Sequence, residues 1–296
     1  PGTDDDVQHA LGVLGHRVAQ GLVHDVLVLG QVPDEKVGGG RRRRQAADQR
    51  PCQGRPHRKT QCRQREGGVG LGHGQHHGEG GGEMAIRHPL RQYFARAYDA
   101  GMEEETLKKR FPEQSQLIGD VYLQCGSGIN PPLTHGAGRW FDAAAAWLGL
   151  ADGVMSFEAQ APMRLEYAAR HEVSGNETVL PFRLTRREDG LMMADWRELW
   201  AIKPGTIASP ARSLHWTLAE AAVGMIEAEY AKHSRIPVML TGGVFQNRLF
   251  TAMLQDKLKS RDIAFFMPVK LPVNDGAIAI GQLMWAGLDF RPDGDG

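Results

Sequence analysis

The hydrophobic and polar positions along the chain change character near residue 82. After it the spacing is regular. "AIRHPLRQYFARAYDAG" sets Pro89 at a helix start and follows it with apolar residues at helical intervals. "PEQSQLIGDVYLQ" predicts a second short helix. "RWFDAAAAWLGL" predicts a strong third one ending at Gly149 or soon after, and "APMRLEYAARH" a fourth. "GSGINPPLTHGAGR" keeps no period and has the composition of a loop. "VLPFRLTRREDGLMMADW" alternates on both sides of Glu188-Asp189-Gly190, the pattern of a β-hairpin. "SPARSLHWTLAEAAVGMIEAEYAKHSR" predicts a long amphipathic helix with Leu214, Leu218, Ala221, Met225 and Ala228 on one face.

The pattern then tightens. Strand "IPVML" breaks at Thr241-Gly242-Gly243 and gives way to helix "VFQNRLFTAMLQDKLKSR", with Asn247 one turn into it. Strand "IAFFMP", a Pro-punctuated loop and helix "DGAIAIGQLMWAG" follow. Two apolar strands separated by a helix make a βαβ unit with parallel strands, and strands this apolar should be covered on both faces. Ligands of open α/β sheets bind beyond the carboxyl ends of the strands. Gly242 and Gly243 stand at one such end, where glycines let backbone approach a ring or phosphate. Asn274, Asp275 and Gly276 stand at the other. Asn247 offers a donor and an acceptor to a ribose or phosphate, and Asp275 a carboxylate for a metal or a water. Taken singly, the glycines read as a tight strand–helix turn and Asp275 as an N-cap; together, at parallel strand ends of one βαβ unit, they make a candidate nucleotide site.

Composition separates residues 1–80 from the rest. Every Phe, Trp, Tyr, Ile and Met lies after residue 82, while seven of the twelve His and about half of the glycines lie before it. Such a segment cannot bury enough apolar surface to offset its ordering entropy. It reads as a low-complexity, disordered or out-of-frame segment. "VLVLGQV" has the makings of a short strand. The Arg41 to Arg44 run has no aromatics beside it for base stacking, and the His73–His77 pair sits in glycine-rich sequence that resists helix formation. Formal net charge is zero, so no bulk attraction to nucleic acid or membrane follows. Cys52, Cys62 and Cys125 form no metal or redox spacing. With no run of about eighteen apolar residues, the expectation is a cytoplasmic protein without nucleic-acid or membrane partners.

Residues 81–296 resemble a known family in several ordered segments. "LTGGVFQNRLF" and "LPVNDGAIAIGQ" look like the end of the hydrogenase-maturation carbamoyltransferases, the HypF family. "GGEMAIRHPLR", "LTHGAGRWFDAAAAWLGL", "SFEAQAPMRLEYAA" and "SLHWTLA" resemble further segments of it, with His88 where the family usually has Glu. The resemblance implies an α/β, actin-like ATPase (ribonuclease H-like) fold, here its C-terminal part, related to the enzymes that make threonylcarbamoyl-adenosine on tRNA. It implies carbamoyl adenylate, made from carbamoyl phosphate and ATP. It implies transfer of the carbamoyl group to the C-terminal cysteine of a HypE-type partner in [NiFe]-hydrogenase maturation. By position, Asp142 and Glu166 would contact the nucleoside, and Gly242, Gly243 and Asn247 would cradle the adenylate. Asn274 or Asp275 would hold a divalent metal ion, whether zinc, iron or magnesium. His215 reads as a satisfied core histidine, and no catalytic residue is assigned.

The family's upstream "QHH-x-AH" and "DGTGYG" motifs are not readable here; "VQHALG" matches only through Val7, Gln8 and His9. The alternatives are therefore an inactive fragment or remnant of such an enzyme, or a related tRNA or small-molecule carbamoyltransferase.

Overall fold

The computed structural model describes residues 27–29, 86–127, 136–187, 190–231 and 238–289. The Arg41–Arg44 run, the His73–His77 pair and all of residues 1–80 but Leu27–Leu29 lie outside the described residues, as do Glu188 and Asp189 of the hairpin turn.

The first helices form as their spacing requires. α1 (Pro89–Asp99) starts with Pro at its first turn. α2 (Glu104–Arg110) carries Glu104 and Glu105 in its first turn and Lys108, Lys109 and Arg110 in its last, which matches the helix dipole at both ends. α3 is Ser115–Gly126 and α4 is Ala137–Trp147. Gly149, at φ 73°, closes α4: its N–H donates to the Ala146 carbonyl while Leu150 N–H donates back to Ala145. α5 spans Gln160–His171.

The hairpin forms as expected. β2 (Arg183–Arg186) pairs antiparallel with β3 (Met192–Asp195), Arg183 opposite Asp195 and Arg186 opposite Met192. A short α6 (Arg197–Ala201) follows. The aromatic core lies here: Trp140, Trp147, Trp196, Trp200 and Tyr93 are fully buried, and Trp200 meets Trp140, Trp147 and Tyr93 with ring centroids 6.0–6.4 Å apart. The Arg96 guanidinium lies 5.8 Å from the Trp200 ring.

α7 (Pro210–Tyr230) departs from expectation. The predicted apolar face is buried at Leu214, Leu218, Ala221 and Met225, but so are Ser213, His215, Thr217, Ala219, Ala222, Val223 and Ile226. The helix is central, not amphipathic. α5, α8 and the hairpin surround it, and its buried hydroxyls take backbone donors from a neighbouring segment. Thr178 N–H donates to Ser213 Oγ at 3.1 Å and Leu180 N–H to Thr217 Oγ1 at 2.9 Å.

The βαβ unit is present. β4 (Val238–Leu240) and β5 (Phe265–Phe266) run parallel, Val238 opposite Phe265, with α8 (Arg248–Ser260) between them. β1 (Leu27–Leu29), from the "VLVLGQV" stretch, pairs antiparallel on the other side of β4. The expectation that both strands are covered on both faces holds for Val238 and Leu240, which are fully buried, but not for Phe266, which is exposed. α9 (Ile278–Asp289) exposes Ile278, Ile280, Leu283 and Met284. The reason is shared: β5 is an edge strand of the described three-stranded sheet β1-β4-β5, and α9 packs extensively against none of the other described helices or strands.

Trp200→Ala should destabilise the full chain by about 3–5 kcal/mol, the range for truncating a buried Trp. Chemical denaturation followed by circular dichroism measures it, and a loss under about 1 kcal/mol would contradict this packing.

Candidate functional site at the glycine turn

Leu240 ends β4 and the backbone then turns sharply. Gly242 adopts φ 116° and ψ 159°, a conformation essentially confined to glycine. Its N–H donates to the Val273 carbonyl at 2.6 Å, and the Thr241 hydroxyl donates to the same oxygen at 3.4 Å. The glycine turn is thus stitched to the loop that follows β5, and the two strand ends act as one surface.

The helix does not follow directly, as the sequence suggested. Gly243–Gln246 form one 3-10 turn, and Asn247 is the N-cap of α8, not a residue one turn inside it. The cause is the Asn side chain, which competes for backbone donors. Asn247 Oδ1 accepts from Phe250 N–H at 2.9 Å.

That bond orients the amide. Oδ1 faces a backbone donor, so Nδ2 faces His215 Nε2, 2.9 Å away. His215 Nδ1 lies 2.8 Å from the Ala211 carbonyl, which can only accept. Nδ1 therefore carries the proton and Nε2 accepts from Asn247. Burial lowers the pKa of His215 to about 4, outweighing the Ala211 carbonyl bond and the charge of Glu166. His215 is fully buried and Asn247 is 9% exposed. The expected core histidine is confirmed, with a partner 32 residues away that no local pattern announces.

Glu166 reaches the same place from α5. Its Oε1 accepts from Arg248 N–H at 3.1 Å and Leu249 N–H at 3.3 Å, capping α8 alongside Asn247. Arg170 pairs with the same oxygen at 2.6 Å. Glu172 does likewise for α7, accepting from Ala211 and Arg212 N–H.

Asp142 is placed differently. It is 2% exposed, and its charge partners Arg139 and Arg96 lie on α4 and α1, not on the turn. Arg139 Nη1 approaches Oδ2 to 2.7 Å, but at angles that leave both atoms without a hydrogen bond. Burial raises the Asp142 pKa to about 6 against the pull of Arg139 and then Arg96. Its neighbour Phe141 does reach the site, with its ring centroid 5.0 Å from that of His215.

On the second loop, Asn274 rather than Asp275 is the cap: its Oδ1 accepts from Gly276 N–H at 3.1 Å. Asp275 is exposed. Among the described residues no group of three or more His, Cys, Asp and Glu is arranged to hold a metal ion. These residues alone do not make up a metal site; Asp275 offers one open carboxylate toward one. A shallow hollow of about 290 Å³ lined by Glu227, Tyr230, Ala231, Arg261 and Ile263 lies at the opposite end of α7 from His215. No helix among the described residues is long and apolar enough to cross a membrane.

This arrangement is a βαβ unit with loops joined at the carboxyl ends of parallel strands, the C-terminal part of an actin-like ATPase fold. The chain is similar to a full-length HypF solved in its phosphate- and nucleotide-bound form, with a TM-score of 0.62 and 24% identity over 75% of this chain and 29% of that one. It is likewise similar to HypF of T. kodakarensis, with a TM-score of 0.56 and 22% identity. In sequence it is 34% identical to carbamoyltransferase HypF of Rhodobacter capsulatus over 213 residues, 70% of this chain and 26% of that protein. It is 30% identical to carbamoyltransferase HypF2 of Cupriavidus necator over 242 residues, 72% of this chain and 29% of that protein. The family model of the second subdomain of the carbamoyltransferase Kae1-like domain matches residues 68–282. The chain belongs to the HypF carbamoyltransferase family. It spans less than a third of the length of those two curated relatives.

The two buried groups titrate in opposite senses. Asp142, neutral more readily in the fold, adds stability at pH below its ordinary 3.8 and loses it as pH rises through 6. His215, held neutral, adds stability above its ordinary 6.5 and loses it as pH falls toward 4. Asp142→Asn should gain stability relative to the unaltered chain as pH rises from 4 to 7, by roughly 3 kcal/mol. Urea unfolding of both proteins across that range tests this; a pH-independent difference would refute it.

Proposed function

We propose that the glycine turn cradles the nucleotide end of carbamoyl adenylate, formed from carbamoyl phosphate and ATP. The chain would then be the part of a HypF-type enzyme that passes the carbamoyl group to the C-terminal cysteine of a HypE-type partner in [NiFe]-hydrogenase maturation. In that transfer the cysteine thiolate attacks the carbamoyl carbon, the new S–C bond forms and the C–O bond to the phosphate breaks. AMP leaves with the electron pair, and the thiol proton goes to solvent.

One observation carries this reading: Gly242, at φ 116°, is locked to the Val273 carbonyl at the end of a parallel strand. The Gly243 and Val244 N–H groups are left at the head of the 3-10 turn, before its first i→i+3 bond. Such N–H groups suit a phosphate or a ring nitrogen. The nucleotide-bound form of a HypF with the same fold supports it. Glu166, already against α8, is a hydrogen-bond acceptor for ribose hydroxyls. Of Asn274 and Asp275, Asn274 Oδ1 is held by Gly276 N–H, and Asp275 has the open carboxylate that would face a metal. The described residues by themselves complete no metal site.

Calorimetric titration with ATP and AMP tests the reading. The unaltered chain should bind, and Gly242→Ala should bind at least about tenfold more weakly while costing about 1–3 kcal/mol of stability through backbone strain. No binding by the unaltered chain would favour the inactive-remnant reading. Carbamoyl-phosphate-dependent ATP–pyrophosphate exchange should be absent from this chain, because residues 68–282 match a subdomain other than the one expected to make the adenylate.

A further inference from the structure

We propose that His215 is a positioning residue. Through the Asn247 amide it holds the glycine turn as a rigid backbone cradle, so that ligand contact falls to backbone N–H groups and not to the Asn247 side chain. The inference deepens the nucleotide reading of this turn and rests on it only for its ligand.

The polar atoms of the pair are already engaged. Asn247 Oδ1 is held by Phe250 N–H, and one amide hydrogen by His215 Nε2. His215 Nδ1–H is held by the Ala211 carbonyl on its own helix. Each end of this relay is a backbone group whose role cannot invert, so only one amide orientation and one imidazole tautomer satisfy it. Thr251 adds a second tie, its N–H donating to the Asn247 carbonyl at 3.0 Å and its hydroxyl to the Phe245 carbonyl at 3.0 Å. The turn is thereby clamped at Phe245, Asn247 and Gly242. One end of the clamp is α7, whose Leu214, His215 and Leu218 are all fully buried.

The imidazole is enclosed on every side that matters. The Phe141 ring from α4 lies against it. Glu166 and Arg170 from α5 and Arg212 from α7 are the charged groups that act on it. A protonated or flipped ring would turn a donor toward the Asn247 amide hydrogens and release the turn. His215 touches no reacting atom in this arrangement, so its effect is exerted through Asn247.

Two measurements on the full chain test this. The first needs no variant: imidazole 15N–1H correlation spectra at pH 7 should show His215 neutral with its proton on Nδ1. An Nε2–H tautomer or an imidazolium overturns the proposal. The second compares native-state amide exchange in His215→Leu and His215→Gln. In His215→Leu, exchange at Phe250 and at residues 243–247 should speed by about tenfold, the equivalent of one lost buried hydrogen bond. Val223 and Leu218 amides should not follow. His215→Gln keeps an acceptor for Asn247 and should restore most of the protection. Uniform acceleration across the core in both variants would mark a merely structural histidine and overturn the proposal. If the unaltered chain binds ATP, His215→Leu should weaken it by a comparable factor and His215→Gln by less. If it binds none, the nucleotide reading fails, and the spectra and exchange still decide the role of His215.

Discussion

Helix α7 can be buried on almost every side only because each of its polar groups is engaged by another segment. Ser213 and Thr217 accept backbone donors from residues 178 and 180. Its first turn receives the Glu172 carboxylate. His215 receives the Asn247 amide. An unpartnered group in so dry a position would cost about 1–3 kcal/mol each. This one constraint fixes the hairpin, α5, α8 and the glycine turn against a common axis.

The site inherits its order from that axis. Glu166 and Asn247 come from sequence positions 81 apart, yet both cap α8, one with a carboxylate and one with an amide oxygen. The turn between β4 and α8 is therefore held from α5, from α7 and, through Val273, from the loop after β5. What such a turn offers a ligand is fixed backbone geometry, the kind of preorganisation that lowers the ordering cost of binding. Uncovered apolar residues flank that loop, Phe266 of β5 before it and those of α9 after it. Phe266, Leu283 and Met284 sit in the open in a chain matched by the model of a second subdomain.

Much of this was legible in the order of residues. Helices α1, α4, α5 and α8, the hairpin and the parallel strand pair follow from apolar period, from Pro89 and Gly149, and from Gly242 at a strand end. Resemblance in ordered segments gave the family. What could not be read were the long-range polar partners. Asn247 reads in sequence as a ligand contact, and a lone asparagine near two glycines carries no sign of a histidine on another helix. The resemblance implies a nucleoside contact for Asp142, and its burial against Arg96 and Arg139 is a product of how α1 packs on α4. α7 looked amphipathic because Ser, His and Thr count as polar until the segments that satisfy them are known.

The sequence by itself determined local geometry: where helices start and stop, which strands are parallel, and that only glycine serves at residue 242. The tertiary structure decided which polar atoms remain open to a ligand. The physical reason is that a hydrogen bond's partner is chosen by distance in space, whereas period and propensity report only on neighbours along the chain.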